Sequence, residues 1–260
     1  MKPDDLRRTL EFYRDIGVKT LYRQKATAKT RKAETVEEVE VKQPGAAPVA
    51  IDLAERAEQP AFRLPALAPT GDTLPGILAD IGDCRRCRLH EGRNKLVFGV
   101  GNERAPLVFV GEGPGADENE QGIPFVGRAG QLLTQMIEGT AKKEGIELLR
   151  ADVYICNVVK CRPPGNRTPE PDEMEICGQF LYRQLLTISP KAICALGGTA
   201  ARALTGRKEG VTKMRGKWTD WRGIPLMVSY HPSYLLRPYN QDAKREAWED
   251  LKKILHFVYD

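Results

Sequence analysis

No run of about 18 apolar residues occurs in the 260-residue chain, so nothing in it reads as a membrane-spanning helix. Met1-Lys2-Pro3-Asp4-Asp5 opens on charge, and no apolar stretch of roughly 7 to 15 residues follows, which argues against a secretory leader. The expectation is a cytoplasmic protein with reduced thiols. Neither a Gly-x-Gly-x-x-Gly turn running into a helix nor a Gly-Lys-Ser/Thr loop is present, which removes the usual dinucleotide and nucleoside-triphosphate signatures. Internal repeats are absent as well. Charge of one sign is in small excess, with 40 Lys and Arg against 35 Asp and Glu, a net of +5. Residues 1–75 carry 13 basic and 12 acidic side chains, leaving 27 against 23 for the remainder, a mild basic bias that hints at a polyanionic partner.

The chain divides by texture. Leu6, Leu10, Tyr13 and Ile16 recur at steps of three or four before Gly17, predicting an N-terminal helical segment within residues 1–25. Residues 26–75 hold scattered prolines in an Ala- and Glu-rich stretch whose only aromatic residue is Phe62, and they read as a flexible linker. From residue 76 to 260 strands and helices alternate. Leu107 to Val110, Val153 to Val158, Ala192 to Leu196 and Leu226 to Ser229 read as buried strands; Ala129 to Ile137, Pro171 to Leu186, Thr199 to Leu204 and Asp242 to Val258 read as helices. Such alternation predicts an α/β domain with a parallel sheet covered on both faces, and ligands bound outside the carboxyl ends of the strands.

Gly111-Glu112-Gly113-Pro114-Gly115 leaves one of those strand ends, followed by Glu118 and Pro124-Phe125-Val126-Gly127. Glycines let backbone amides approach a ligand, while Glu118 adds a carboxylate and Phe125 an aromatic face, a combination suited to a flat polar ring. Taken alone, a glycine turn after a strand is commonly structural, so specificity rests on the other strand ends. Two further loops, Asn157 to Arg167 and His231 to Arg237, reach the same rim.

Six cysteines are present. Cys84-x-x-Cys87 forms a thiolate hook, and Cys161 and Cys177 have fifteen residues between them, giving a possible four-sulfur set that suits zinc or an iron-sulfur cluster on spacing alone. Thr168 reads as the cap of a helix with Pro169 in its first position, which puts Cys177 on that helix. Cys156 and Cys194 fall inside predicted strands as small buried hydrophobes. Arg85, Arg86, Arg88, Arg93 and Lys95 crowd the first hook and Lys160, Arg162 and Arg167 the second, a plausible phosphate-facing patch.

Together, Gly111-Glu-Gly-Pro-Gly, Pro124-Phe-Val-Gly-Arg-Ala-Gly, Asn157-Val-Val-Lys-Cys-Arg-Pro-Pro-Gly-Asn-Arg and His231-Pro-Ser resemble the signatures of the family 4 uracil-DNA glycosylases over roughly residues 80 to 256. The resemblance implies a three-layer α/β/α fold with a central, mainly parallel four-stranded sheet. It also implies a 4Fe-4S cluster on Cys84, Cys87, Cys161 and Cys177, with zinc the lesser option, and hydrolytic removal of uracil from DNA by a monomer. Phe125 would stack on the base, Asn157 would read O4 and N3-H, and His231 would donate toward O2. Glu118, or second to it Glu112, would handle the attacking water. Glu112, Gly113 and Asn166 would also adjoin the base or water. Leu235, Leu236 and Arg237 would form the wedge that fills the stack left by a flipped base.

Some positions depart from relatives. Gly113 and Gly115 stand where family 1 enzymes carry a water-activating aspartate and a methyl-excluding tyrosine, and Asn119 replaces an aspartate frequent in family 4. The rival expectation is a non-catalytic iron-sulfur DNA-binding module, with a protein partner for the N-terminal segment.

Overall fold

Buried apolar runs that alternate their side chains between two faces build the centre of the molecule. The computed structural model describes residues 71–237 and 239–260, so the expected helix near Asp4 to Tyr22 and nearly all of the expected linker lie outside the described residues. Six strands, β1 (Val100–Gly101), β2 (Leu107–Gly111), β3 (Tyr154–Asn157), β4 (Ala192–Leu196), β5 (Trp218–Trp221) and β6 (Ile224–Ser229), form one sheet in the order β1-β3-β2-β4-β6-β5. The inner four are parallel, and β1 and β5 pair antiparallel at the edges.

The four inner strands are the four read from the sequence. The two edges are a correction to the expected strand count, and both carry weak signals. β1 is two residues long, and β5 is Trp-Thr-Asp-Trp with only Trp221 buried.

Eight helices accompany the sheet among the described residues: α1 (Leu74–Ile81), α2 (Ala116–Gln121), α3 (Arg128–Lys143), α4 (Pro171–Ile188), α5 (Gly198–Thr205), α6 (Val211–Met214), α7 (Pro232–Leu235) and α8 (Gln241–Tyr259). Val108, Val110, Tyr154, Cys156, Ile193, Ala195, Leu226 and Val228 pack with α1, α4 and α5. Their strand neighbours Leu107, Phe109, Ile155, Ala192, Cys194 and Met227 pack with α3 and α8. The two-residue period of a strand thus sorts the apolar residues into two cores, which makes the fold three layers, α/β/α.

One helix crosses an expected domain boundary, and another takes a different cap from the one expected at Thr168. α1 begins at Leu74 under a Thr73 cap, whose hydroxyl accepts from Gly76 N at 3.1 Å, so it spans the expected boundary at 75/76. Arg183 of α4 holds it by ion pairs to Asp72 and Asp80. α4 begins at Pro171, the start read from its helical stretch, and not at Pro169 as a Thr168 cap would have it, because Glu173 reaches back to the Glu170 amide at 2.8 Å while binding Arg167 through both oxygens at 2.7 and 2.8 Å.

α8 is fastened to the end of β6 by Asp250, a fully buried carboxylate. It accepts from Ser229 Oγ at 2.7 Å, from Arg215 Nε at 3.0 Å, and from a second Arg215 nitrogen. Asp250→Ala leaves the largely buried Arg215 guanidinium with Glu246 as its remaining partner and the Ser229 hydroxyl unpaired. The expected cost is about 3–5 kcal/mol, read as a lower midpoint in urea-induced unfolding; an unchanged midpoint would deny Asp250 this role.

Candidate active site

Parallel register sets the carboxyl ends of four strands side by side: Gly111 pairs with Asn157, and Leu196 with Ser229, while Val110 pairs with Ala195. The loops that leave those ends meet above the sheet. Gly111 is the contact point, since a Cβ there would lie 2.4 Å from Asn157 Oδ1 and 2.5 Å from Phe125 Cζ. Any larger residue would displace the amide, the ring or both. The Phe125 and His231 rings lie with centroids 5.5 Å apart and tilted by 35°. Gly197, at φ 90°, receives the His231 Cβ in the same way. Phe125, Asn157 and His231 are therefore brought together as expected.

Asn157 is almost fully buried, and its Oδ1 has no hydrogen-bond partner. An unpaired buried acceptor costs about 1–3 kcal/mol, and it marks a place where a ligand N–H would be welcome. The main-chain carbonyl of the same residue is taken by Lys160 Nζ at 2.9 Å.

His231 caps α7, its Nδ1 accepting from the Ser233 amide at 3.2 Å. Because an amide can only donate, Nδ1 is the unprotonated nitrogen and the proton sits on Nε2. Burial pushes the imidazole pKa down to about 4, against an opposing pull from the Glu118 carboxylate. The side chain is thus a neutral donor.

The two carboxylates part company. Glu118 Oε1 accepts from the amides of Val126 and Gly127 at 2.9 and 3.0 Å, and Oε2 from Gly115 at 3.0 Å. Three main-chain amides thus hold Glu118 as a clamp across the glycine loop. Glu112 accepts from the Thr199 hydroxyl at the start of α5, which orients its carboxylate at the junction of the β2 and β4 loops.

Other expected residues lie elsewhere. Gly113 lets the loop press on Val159, whose Cγ2 would be 2.8 Å from an added Cβ. Asn166 is an exposed, left-handed turn residue at φ 56°, its Oδ1 accepting from Arg162 Nε at 2.8 Å. Leu235, expected in the wedge, is buried against Tyr230, Ala243 and Ala247. Leu236 is partly exposed and Arg237 exposed, its guanidinium 5.8 Å from the Tyr234 ring.

Cys84, Cys87, Cys161 and Cys177 line one cavity with Ile81, His90, Leu96, Lys160, Ile176 and Phe180. Cys156 and Cys194 are buried within β3 and β4. The cavity sulfurs are met by donors: Lys160 N to Cys177 at 3.3 Å, Arg93 to Cys161 at 3.4 Å and Arg86 to Cys84 at 3.8 Å. Burial pushes the Cys177 thiol up to about 12 and raises those of Cys87 and Cys161, so a bound cation is what would hold them as thiolates. Among the described residues no three His, Cys, Asp or Glu side chains are grouped to hold a single metal ion. Four thiols lining one cavity are a soft donor set of the kind that holds zinc or an iron-sulfur cluster.

Residues 98–252 match the family model of the Uracil DNA glycosylase superfamily, and the chain belongs to that superfamily. Within it, the chain is 48% identical over 192 residues to a type-4 uracil-DNA glycosylase of Thermotoga maritima, covering 73% of this chain and 97% of that one. It is 42% identical over 191 residues to a type-4 uracil-DNA glycosylase of Archaeoglobus fulgidus, covering 70% and 92%. To one of Sulfurisphaera tokodaii it is 41% identical over 191 residues, covering 70% and 84%.

The neutrality of His231 is measurable. In an NMR titration its ring should stay neutral through the range where a free histidine protonates, near 6.5, and take its proton only near pH 4. The sign follows from linkage: with the folded value below the unfolded one, His231 lowers stability as pH falls from about 6.5 toward 4. A titration midpoint at the ordinary value would show that the ring is solvated.

Proposed function

We infer that this protein is a uracil-DNA glycosylase, hydrolysing the bond between uracil N1 and deoxyribose in DNA to leave an abasic site for repair. The observation that carries the reading is the convergence of an aromatic face, an unpartnered buried amide oxygen and a neutral imidazole donor at one rim of strand ends.

A base inside a duplex is out of reach, so the target nucleotide must be flipped into the pocket. Phe125 stacks on its face. Asn157 accepts from N3-H through the free Oδ1 and donates to O4 through Nδ2, whereas cytosine presents the reversed pattern. As the glycosidic bond breaks, charge builds on uracil O2, and His231 Nε2-H is the donor for it. A neutral donor suits this step, because it need not lose a proton to the leaving base.

Glu112 orients the water that attacks the sugar carbon, held by Thr199, while Glu118 keeps the loop in shape. Gly113 contributes main chain beside the base. Leu236 and Arg237, with Tyr234, enter the stack behind the flipped base.

We propose a 4Fe-4S cluster on Cys84, Cys87, Cys161 and Cys177. When bound it supplies a four-way covalent tie among chain segments distant in sequence. We also place the protein in the cytoplasm as a monomer, with residues 76–260 as the glycosylase domain and residues 1–25, on the linker 26–75, available to a protein partner. Among the described residues no helix is long and apolar enough to cross a membrane.

Incubation with a uracil-containing oligonucleotide should produce alkali-labile sites; binding without any such sites would favour the non-catalytic module. His231→Ala should lower the single-turnover rate by about 10² to 10³ with little change in DNA affinity. Glu112→Gln should slow cleavage at unchanged loop structure, and parent-rate cleavage by that variant would remove Glu112 from the chemistry. Purified protein should be brown with about four irons per chain; a colourless, fully active protein with one zinc would reject the cluster.

A further inference from the structure

Phe125 stands at φ 54°, a left-handed conformation that a bulky residue holds only where its surroundings impose it. The constraints come from both sides. After it, Glu118 binds the amides of Val126 and Gly127. Before it, Arg150 Nη2 donates to the Pro124 carbonyl at 2.8 Å. The same guanidinium donates through Nη1 to Thr134 Oγ1 at 3.0 Å and reaches the Gly130 carbonyl at 3.5 Å.

Arg150 lies on the three-ten turn Arg150–Asp152 that leads into β3, and its own amide donates to Glu138 Oε1 at 3.1 Å. One planar, rigid fork therefore joins the first two turns of α3 to the residue that precedes the ring. Gly130 completes the seat, since a Cβ there would fall 1.8 Å from the Phe125 carbonyl oxygen.

We propose that Arg150 is a positioning residue for base excision, fixing the ring of Phe125 under the uracil by pinning the Pro124 carbonyl against α3. The proposal rests on the reading of Phe125 as the stacking face. Arg150 acts through that ring, so its contribution must vanish when the ring is gone.

The test is a double-mutant cycle on the full-length, cluster-containing protein, with single-turnover rates on a uracil oligonucleotide for the parent, Arg150→Met, Phe125→Ala and the combined variant. Arg150→Met should slow cleavage by about tenfold, as a misplaced stacking face would, and the combined variant should be no slower than Phe125→Ala. A merely structural loss would instead slow both backgrounds alike. Arg150→Met at the parent rate, or a full tenfold loss retained in the Phe125→Ala background, would overturn the proposal. Parent-rate cleavage by Phe125→Ala would overturn the stacking reading beneath it. Should Arg150→Met fail to fold by circular dichroism, Thr134→Val removes the hydroxyl partner of Nη1 and is held to the same cycle: a slowing of about threefold, absent without the ring, supports the proposal, and one that persists without the ring rejects it.

Discussion

The register of four parallel strands is the constraint on which the site depends. Pairing Gly111 with Asn157 and Leu196 with Ser229 ends β2, β3, β4 and β6 at one level, so chain segments more than a hundred residues apart leave the sheet together. A slip of one residue would turn Asn157 to the opposite face and bring a branched side chain to the place where Gly111 admits the amide and the Phe125 ring. Buried apolar side chains on both faces enforce the register, and the polar groups above it inherit their geometry from that packing.

Above the rim, hydrogen bonding divides the work among groups that look alike in sequence. Glu112 and Glu118 are both partly exposed carboxylates, one in the glycine loop and one in the short helix after it, yet three amides engage Glu118 and a threonine hydroxyl Glu112. His231 owes its tautomer to the Ser233 amide and its neutrality to burial. Asn157 keeps a buried acceptor unpaired beside Gly111. Unsatisfied or desolvated groups are costly in a folded chain, and their clustering here is what distinguishes a site from a turn.

Lys160 bridges the cysteine cavity and the end of β3. Its amide donates to Cys177, its ammonium to the Asn157 carbonyl at 2.9 Å and to Gln184 Oε1 at 2.6 Å, and the residue is almost wholly buried. Gln184 in turn donates to the Tyr154 hydroxyl and the Phe98 carbonyl. The thiols thus sit at one end of a polar network whose other end is the strand that presents Asn157.

The sequence by itself determined the four inner strands, the helices between them, the α/β class and the strand-end placement of Gly111, Phe125, Asn157 and His231, because continuous apolar runs and glycine turns are local signals. Cys84, Cys87, Cys161 and Cys177 were legible for the same reason, through spacing and motif. Tertiary structure alone decided that three main-chain amides meet Glu118, that Leu235 faces the core, and that Arg150 and Lys160 reach the main chain of Pro124 and Asn157. Leu235 and Leu236 differ in burial through the phase of one short helix, and Arg150 meets Pro124 across 26 residues of chain. Hydrogen-bond partners and burial are properties of groups that meet only after the chain has folded, so local patterns carry the elements but not the roles that convergence assigns.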